Sequence, residues 1–324
     1  LTPVILEVAS RPEPDAGFLS QRFPIHEQRV FSDRLMQMMG IPRDRCGIAE
    51  TEHPFTTNFN KWDVRITTNY SETDVADSMY SVIHEGGHAL YELGTADEIQ
   101  FTSLASGASM GLHESQSRFY ENIIGRSLPF CRALLPVMQE LFPRELQGVT
   151  PEMLYAAVNK AQPSLIRTEA DELTYAMHIM IRYEMEKLMI GGDVKVDELP
   201  QLWNQMYKEY LGVTVPDDRR GILQDTHWSG GMFGYFPSYA LGSAYGPQIL
   251  RKMEEELGDL LFSCVNAARH LGIDAEQALR ASTDKFIKRF AVTEELVKND
   301  SLDMKELPIE ELDVYWGKAK NMSE

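Results

Sequence analysis

The sequence predicts a mainly α protein with one small β element set just ahead of its most chemically loaded helix. Three observations predict this. Apolar residues recur at spacings of three and four along most of the 324 residues, the mark of helices that bury one face. Glycines and prolines repeatedly open or close those stretches. A single stretch alternates instead: Val64, Ile66, Thr68 and Tyr70 against Arg65, Thr67 and Asn69, the period of a strand.

Taken in order, residues 1–20 are polar and proline-containing and read as a surface entry segment. A helix is predicted from Phe23 to Met39, stopped by Gly40 and Pro42. His53-Pro54-Phe55 opens a short extended region that leads to the strand at 64–70. Val75, Met79, Val82, Ile83, Gly86 and Leu90 then form a buried helical stripe, with Ser71 and Asp74 placed to cap it. Gly86 and Gly87 cost that helix about 1 kcal/mol each relative to Ala, and read as room for close approach by substrate or by a neighbouring helix.

Residues 94–111 hold several Gly, Ser and Ala and read as a loop or small hairpin. A helix from Leu112 to Ile124 closes at Gly125, and another covers 128–142. Thr150-Pro151 starts the next. A long helix runs from Thr168 to Ile190, closed by Gly191-Gly192, and Asp197 starts one more through Tyr210. Gly221–Gly246 is rich in glycine and aromatics. A helix resumes near Pro237 and runs toward Leu257. No internal repeat is visible.

Composition narrows the partners. The net charge of −18 argues against a nucleic-acid backbone or an anionic membrane. Cys46, Cys131 and Cys264 are scattered and odd in number, as in a reduced, cytoplasmic protein. No apolar run reaches the roughly 18 residues of a membrane span.

The chemistry concentrates in His84-Glu85-Gly86-Gly87-His88, followed by His113-Glu114-Ser115-Gln116. On a helix, His-Glu-x-x-His puts two imidazoles on one face about one turn apart, within reach of a single zinc ion. Glu85 follows the first histidine directly and can act as base toward the attacking water. Glu114 is the candidate third ligand, and two His plus one Glu leaves a position open, as catalytic sites do. His227, Tyr235 and Tyr239, in the glycine-rich aromatic segment, are candidates to stabilise a developing oxyanion. Arg65 and Arg167 are candidates to hold a terminal carboxylate. An ion pair with Glu169 or Asp171 is the plainer reading of Arg167. Glu169, Asp171 and Asp225 are the candidates to orient the zinc histidines.

Six motifs, in order, resemble the signature set of the thermostable carboxypeptidase Taq family. They are His53-Pro-Phe, Asp63-Val-Arg-Ile-Thr-Thr68, His84-Glu-Gly-Gly-His88, His113-Glu-Ser-Gln116, Ile166-Arg-Thr-Glu-Ala-Asp171 and Gly221-Ile-Leu-Gln-Asp-Thr-His-Trp228. The resemblance covers about residues 1–254. It implies a helical zinc-peptidase fold similar to the neurolysin and angiotensin-converting-enzyme group. It also implies a homodimer that removes C-terminal residues from peptides with broad specificity, using zinc or cobalt. By the motif match, His84, His88 and Glu114 are the metal ligands and Glu85 the general base. Arg167 and Tyr239 bind the substrate carboxylate, His227 stands near the reacting carbonyl, and Arg65 and His53 join the substrate-binding set. The family's long helical portion before the first motif has no counterpart in these residues, so the channel is expected to be less covered.

Residues 255–324 resemble the C-terminal half of MazG nucleoside triphosphate pyrophosphohydrolase, through Gly258-Asp-Leu-Leu-Phe262, the run Val265–Leu279 and Lys285-Phe-Ile-Lys-Arg-Phe290. Glu256 and Asp259 match that family's magnesium-binding pair, while its partner motif is missing upstream. Two domains are therefore expected, 1–254 and 255–324. The second reads as a helical segment without chemistry, against a pyrophosphohydrolase as the other reading. A non-catalytic scaffold is the third.

Overall fold

The computed structural model describes residues 1–305 and 307–322, apart from the side chain of Glu310. Its contacts divide the chain into two compact units, Leu1–Leu250 and Arg251–Glu324.

The first unit opens on helix α1 (Thr2–Ala9) and a single 3-10 turn at Gly17–Ser20. Ile5, Phe18 and Leu19 are buried there. The opening residues thus enter the core, which corrects the surface segment expected from their polarity. Helix α2 (Ile25–Met38) follows. Strands β1 (Cys46–Glu50), β2 (Thr56–Asn60) and β3 (Asp63–Thr68) form a sheet in the order β1-β3-β2. β1 runs parallel to β3, with Ile48 opposite Ile66, and β2 runs antiparallel, with Asn58 opposite Val64. β3 alternates over its first half, with Val64 and Ile66 buried and Arg65 between them exposed, but Thr67 and Thr68 are both buried at its end.

Helix α3 (Val75–Leu93) packs on that sheet and on α2. Asp74 caps it by accepting from the Asp77 amide at 3.1 Å. Helix α4 (Met110–Arg118) passes into a π-helical turn (Phe119–Ile124), where the Gly125 amide reaches back to the Tyr120 carbonyl at 2.8 Å. Helices α5 (Leu128–Leu141) and α6 (Pro151–Val158, capped by Thr150) complete this side. Their core includes Phe23, Phe31, Leu35, Val82, Leu134 and Phe142.

Helices α7 (Glu172–Gly191) and α8 (Leu199–Leu211) pair around Met177, Ile181, Trp203 and Tyr207. α7 begins later than expected. Asp171 caps it through the amides of Leu173 and Thr174, and Arg167–Glu169 forms a separate 3-10 turn. Helix α9 (Pro237–His270) starts as expected but continues well beyond Leu257.

In the second unit, α10 (Ala275–Asn299) packs with α11 (Ile309–Met322). Thr293, Val297, Tyr315 and Ala319 are buried, and the Tyr315 hydroxyl donates to Asp300 at 2.6 Å.

Candidate metal centre

The glycine pair in α3 decides how close α4 can come. A Cβ on Gly87 would stand 2.7 Å from the Ser117 Cα and 2.9 Å from the Gln116 carbonyl. A Cβ on Gly86 would stand 2.8 Å from the Met39 side chain. Of the two readings of these glycines, close approach by neighbouring elements is what the packing uses. That approach carries Glu114 to the two histidines. Its Oε2 lies 3.7 Å from His84 Nε2 and 3.4 Å from His88 Nε2. All three donor atoms fall within 4.8 Å of one another. Gly242 on α9 seals the other side, since a Cβ there would stand 2.8 Å from Glu114 Cγ.

Each ring is held from behind. His84 Nδ1 meets Glu121 Oε2 at 2.8 Å. His88 Nδ1 meets His113 Nδ1 at 2.5 Å, and His113 Nε2 meets Glu92 Oε1 at 2.7 Å. Arg118 lies 3.6 Å from Glu114 and 3.5 Å from Glu121. Burial pushes the His84 imidazolium down, but Glu114 and Glu121 more than offset it and hold its pKa above the ordinary value. Burial wins at His88, which is lowered. Glu114 stays below the usual carboxylate range because His84, His88 and Arg118 outweigh its burial. Glu85 is buried, and the Thr56 hydroxyl donates to its Oε2 at 2.6 Å.

A second cluster centres on two buried arginines, Arg167 and Arg182. Arg167 donates to Asp225 Oδ1 through Nε at 3.0 Å and Nη2 at 2.8 Å, and to the Tyr175 hydroxyl at 3.2 Å. Arg182 donates through Nε to the other Asp225 oxygen at 2.6 Å. His227 Nε2 meets the Tyr239 hydroxyl at 3.1 Å, and the Arg167 guanidinium lies 4.9 Å from the Tyr239 ring centre. Burial raises the Tyr235 and Tyr239 hydroxyl pKa values, and the Glu114 charge adds to both. The two clusters therefore lie within electrostatic reach of each other.

The structure brings His84, Glu85, His88 and Glu114 together, and gathers Arg167, His227, Tyr235 and Tyr239 beside them. Arg65 and His53 are placed otherwise. Arg65 is exposed on β3, paired with Asp63 at 2.8 Å, and His53 is exposed in the turn before β2. None of the described contacts of either residue reaches the cluster. The Arg167 partner is Asp225, in place of Glu169 or Asp171. The carboxylates behind the two candidate metal-binding histidines are Glu121 and, through His113, Glu92. Asp171 is used as a helix cap, Asp225 by the arginines, and Glu169 is exposed. The missed residues had a spacing signal: Glu92 stands one turn after His88, and Glu121 two turns after Glu114. In the second unit Glu256 and Asp259 are exposed, with Glu256 paired to Lys252 at 2.8 Å. Among the described residues, His84, His88 and Glu114 are the group that could hold a metal.

The donor set fits a divalent transition metal. Two imidazole nitrogens and one carboxylate converge, and the far nitrogen of each ring is tied back so that Nε2 faces inward. Donors and helical frame together place the chain among the metallopeptidases. More narrowly, it belongs to the Carboxypeptidase Taq (M32) metallopeptidase family, which matches residues 1–271.

The chain is 46% identical over 258 residues to Carboxypeptidase 1 of Bacillus subtilis (strain 168), covering 79% of this chain and 52% of that one. It is similar to the crystal structure of the M32 carboxypeptidase from Deinococcus radiodurans R1. The TM-score is 0.74 at 38% identity, covering 82% of this chain and 52% of that one. The chain thus spans about half the length of these relatives. A shorter likeness links it to the nucleoside triphosphate pyrophosphohydrolase/pyrophosphatase MazG of Thermotoga maritima. That match is 57% identical over 74 residues, 23% of this chain and 29% of that one.

Proposed function

We propose that the protein is a zinc-dependent metallocarboxypeptidase that releases C-terminal residues from peptides with broad specificity. The observation that carries this reading is the convergence of His84 Nε2, His88 Nε2 and Glu114 Oε2, one residue from the buried Glu85. The chemistry that zinc, or cobalt in its place, supplies in such a donor set is Lewis-acid polarisation of a carbonyl.

The chain's own groups do the rest. Glu85, held by Thr56, takes a proton from the attacking water and later gives it to the leaving amine. Arg167 and Arg182 share the single carboxylate of Asp225, so that cluster keeps one net positive charge for a substrate C-terminus. The Tyr239 hydroxyl adds a donor to that carboxylate. His227 donates toward the carbonyl oxygen as it gains charge. Arg65 and His53 serve, in this reading, only substrate that extends beyond the cluster.

The working assembly is a homodimer in the cytoplasm. Free, buried Cys46 and Cys131 accord with a reducing compartment. Among the described residues no helix is long and apolar enough to cross a membrane, and the net charge of −18 disfavours nucleic acid. Residues 255–324, set off by their MazG-like sequence, are read here as a helical segment without chemistry of its own; Glu256 is exposed and paired with Lys252, and Asp259 is exposed.

The test is release of C-terminal amino acids from a short peptide, with and without chelator, alongside elemental analysis. The wild type is expected to hold one zinc and lose activity with the chelator. Glu85→Gln is expected to keep its zinc and lose about 10²–10⁴-fold in rate. Full activity in a zinc-loaded Glu85→Gln protein would defeat the reading.

A further inference from the structure

His84 and His88 share one carboxylate in front but are backed by different groups. Behind His84 stands a carboxylate, Glu121, in direct contact. Behind His88 stands another imidazole. The two facing Nδ1 atoms, 2.5 Å apart, need one donor and one acceptor. Glu92 settles which is which. Its Oε1 lies 2.7 Å from His113 Nε2, and a carboxylate accepts, so His113 donates from Nε2, and the neutral ring in that tautomer offers a lone pair at Nδ1. His88 must then carry its proton on Nδ1, which leaves its Nε2 lone pair aimed at the cluster.

The surroundings are built for this relay. Asn58 Nδ2 donates to the second Glu92 oxygen at 2.7 Å, and the Tyr91 ring lies 4.9 Å from that of His113. Gly107 leaves the space, because a Cβ there would stand 2.8 Å from His113 Cδ2. Glu92 is one turn beyond His88 on α3, and His113 is the neighbour of Glu114 on α4. One turn of α4 thus brings both a ligand and the group that orients a ligand on the other helix.

We propose that His113 is the positioning residue of His88, fixing its tautomer and ring angle through a relay that ends on Glu92. The inference rests on the metal reading above. Its test uses the full-length protein. Zn²⁺ affinity is measured by competition with a chromophoric chelator, coordination by the visible absorption of the Co²⁺ form, and the fold by thermal unfolding of the metal-free protein.

His113→Phe is expected to bind Zn²⁺ about 10- to 100-fold more weakly and to change the Co²⁺ spectrum. His113→Gln is expected to recover most of the affinity, because its amide can accept from His88 and donate to Glu92. Wild-type affinity in His113→Phe, or a His113→Gln no better than His113→Phe, overturns the proposal. Should His113→Phe not fold, Glu92→Ala carries the same test from a residue that touches neither histidine ligand. The same loss is expected, and unchanged affinity overturns the relay. A wild type that takes up neither Zn²⁺ nor Co²⁺ removes the metal reading and the relay with it, whereas a metal-binding wild type indifferent to His113 removes the relay alone.

Discussion

The two charged clusters of the first unit are both largely shielded from water and built with opposite imbalances. Around the histidines, Glu85, Glu114 and Glu121 act on His84, while Arg118 and Arg126 answer them. Beside them, two guanidiniums share the one carboxylate of Asp225. The first arrangement is short of a cation and the second of an anion. In the function proposed above, a metal ion would relieve one and a peptide carboxylate the other. The construction differs too. The acidic cluster comes from two consecutive helices pressed together at Gly87, while the basic one joins residues 167, 182 and 225 across three segments.

If the clusters are separate in this sense, removing the lone anion of the basic one should cost stability and leave metal binding alone. Asp225→Ala leaves Arg167 and Arg182 buried without a countercharge, and a loss of about 3–5 kcal/mol is expected. Denaturant unfolding and zinc content measure the two quantities. A folded Asp225→Ala protein that no longer binds zinc would break the comparison. Gly87→Ala probes the acidic cluster in the converse way. Its Cβ meets backbone, which cannot swing aside, so about 1–3 kcal/mol is expected to be lost, together with zinc affinity as Glu114 is pushed away. A variant of normal stability and affinity would show that α4 can retreat without cost.

Protons distinguish the clusters as well. His178 lies under the basic one, with Nδ1 2.9 Å from the Tyr207 hydroxyl, which in turn accepts from Arg182. Burial, then Arg182 and Arg167, push its pKa down to about 3. A histidine lowered from about 6.5 on folding binds its proton more tightly when unfolded. Its contribution is therefore fully present above pH 6.5 and is lost as pH falls toward 3. Between pH 6.5 and 5 the loss is about 2 kcal/mol at 1.36 kcal/mol per pH unit. His178→Gln should flatten the stability profile in that window, and an unchanged slope would assign the acid sensitivity elsewhere.

The same contrast explains what the sequence made legible. Helix spacing carried His84, Glu85 and His88 directly, and Glu114, on the next helix, was legible as the third ligand that such a pair needs and through its His-Glu-Ser-Gln motif. The caps at Asp74 and Thr150 were legible for the same reason. The groups behind the rings were missed although Glu92 and Glu121 are at helical spacing, because exposed carboxylates at such spacing are common. The Asp225 bond to Arg167 spans 58 residues, and nothing local marks it. Strand β1 escaped, and β2 was legible only as the extended region after His53, because Thr-Thr-Asn-Phe-Asn at 56–60 has no alternating apolar face. They are strands because β3 pairs with both.

The smallest expected effect separates burial from pairing as the source of these energies. Arg132 and Glu152 lie 3.1 Å apart, joining α5 to α6, a separation close to those within the basic cluster. Both side chains are 60% exposed, so water already solvates each charge and salt screens the pair. Glu152 also sits in the first turn of α6, where a backbone hydrogen bond holds its pKa down alongside Arg132. Removing the arginine leaves that support in place. Arg132→Ala should therefore leave the unfolding midpoint within measurement scatter at both low and high salt. A shift approaching that of Asp225→Ala would mean that pairing itself, not the dry surroundings of Asp225, sets the cost.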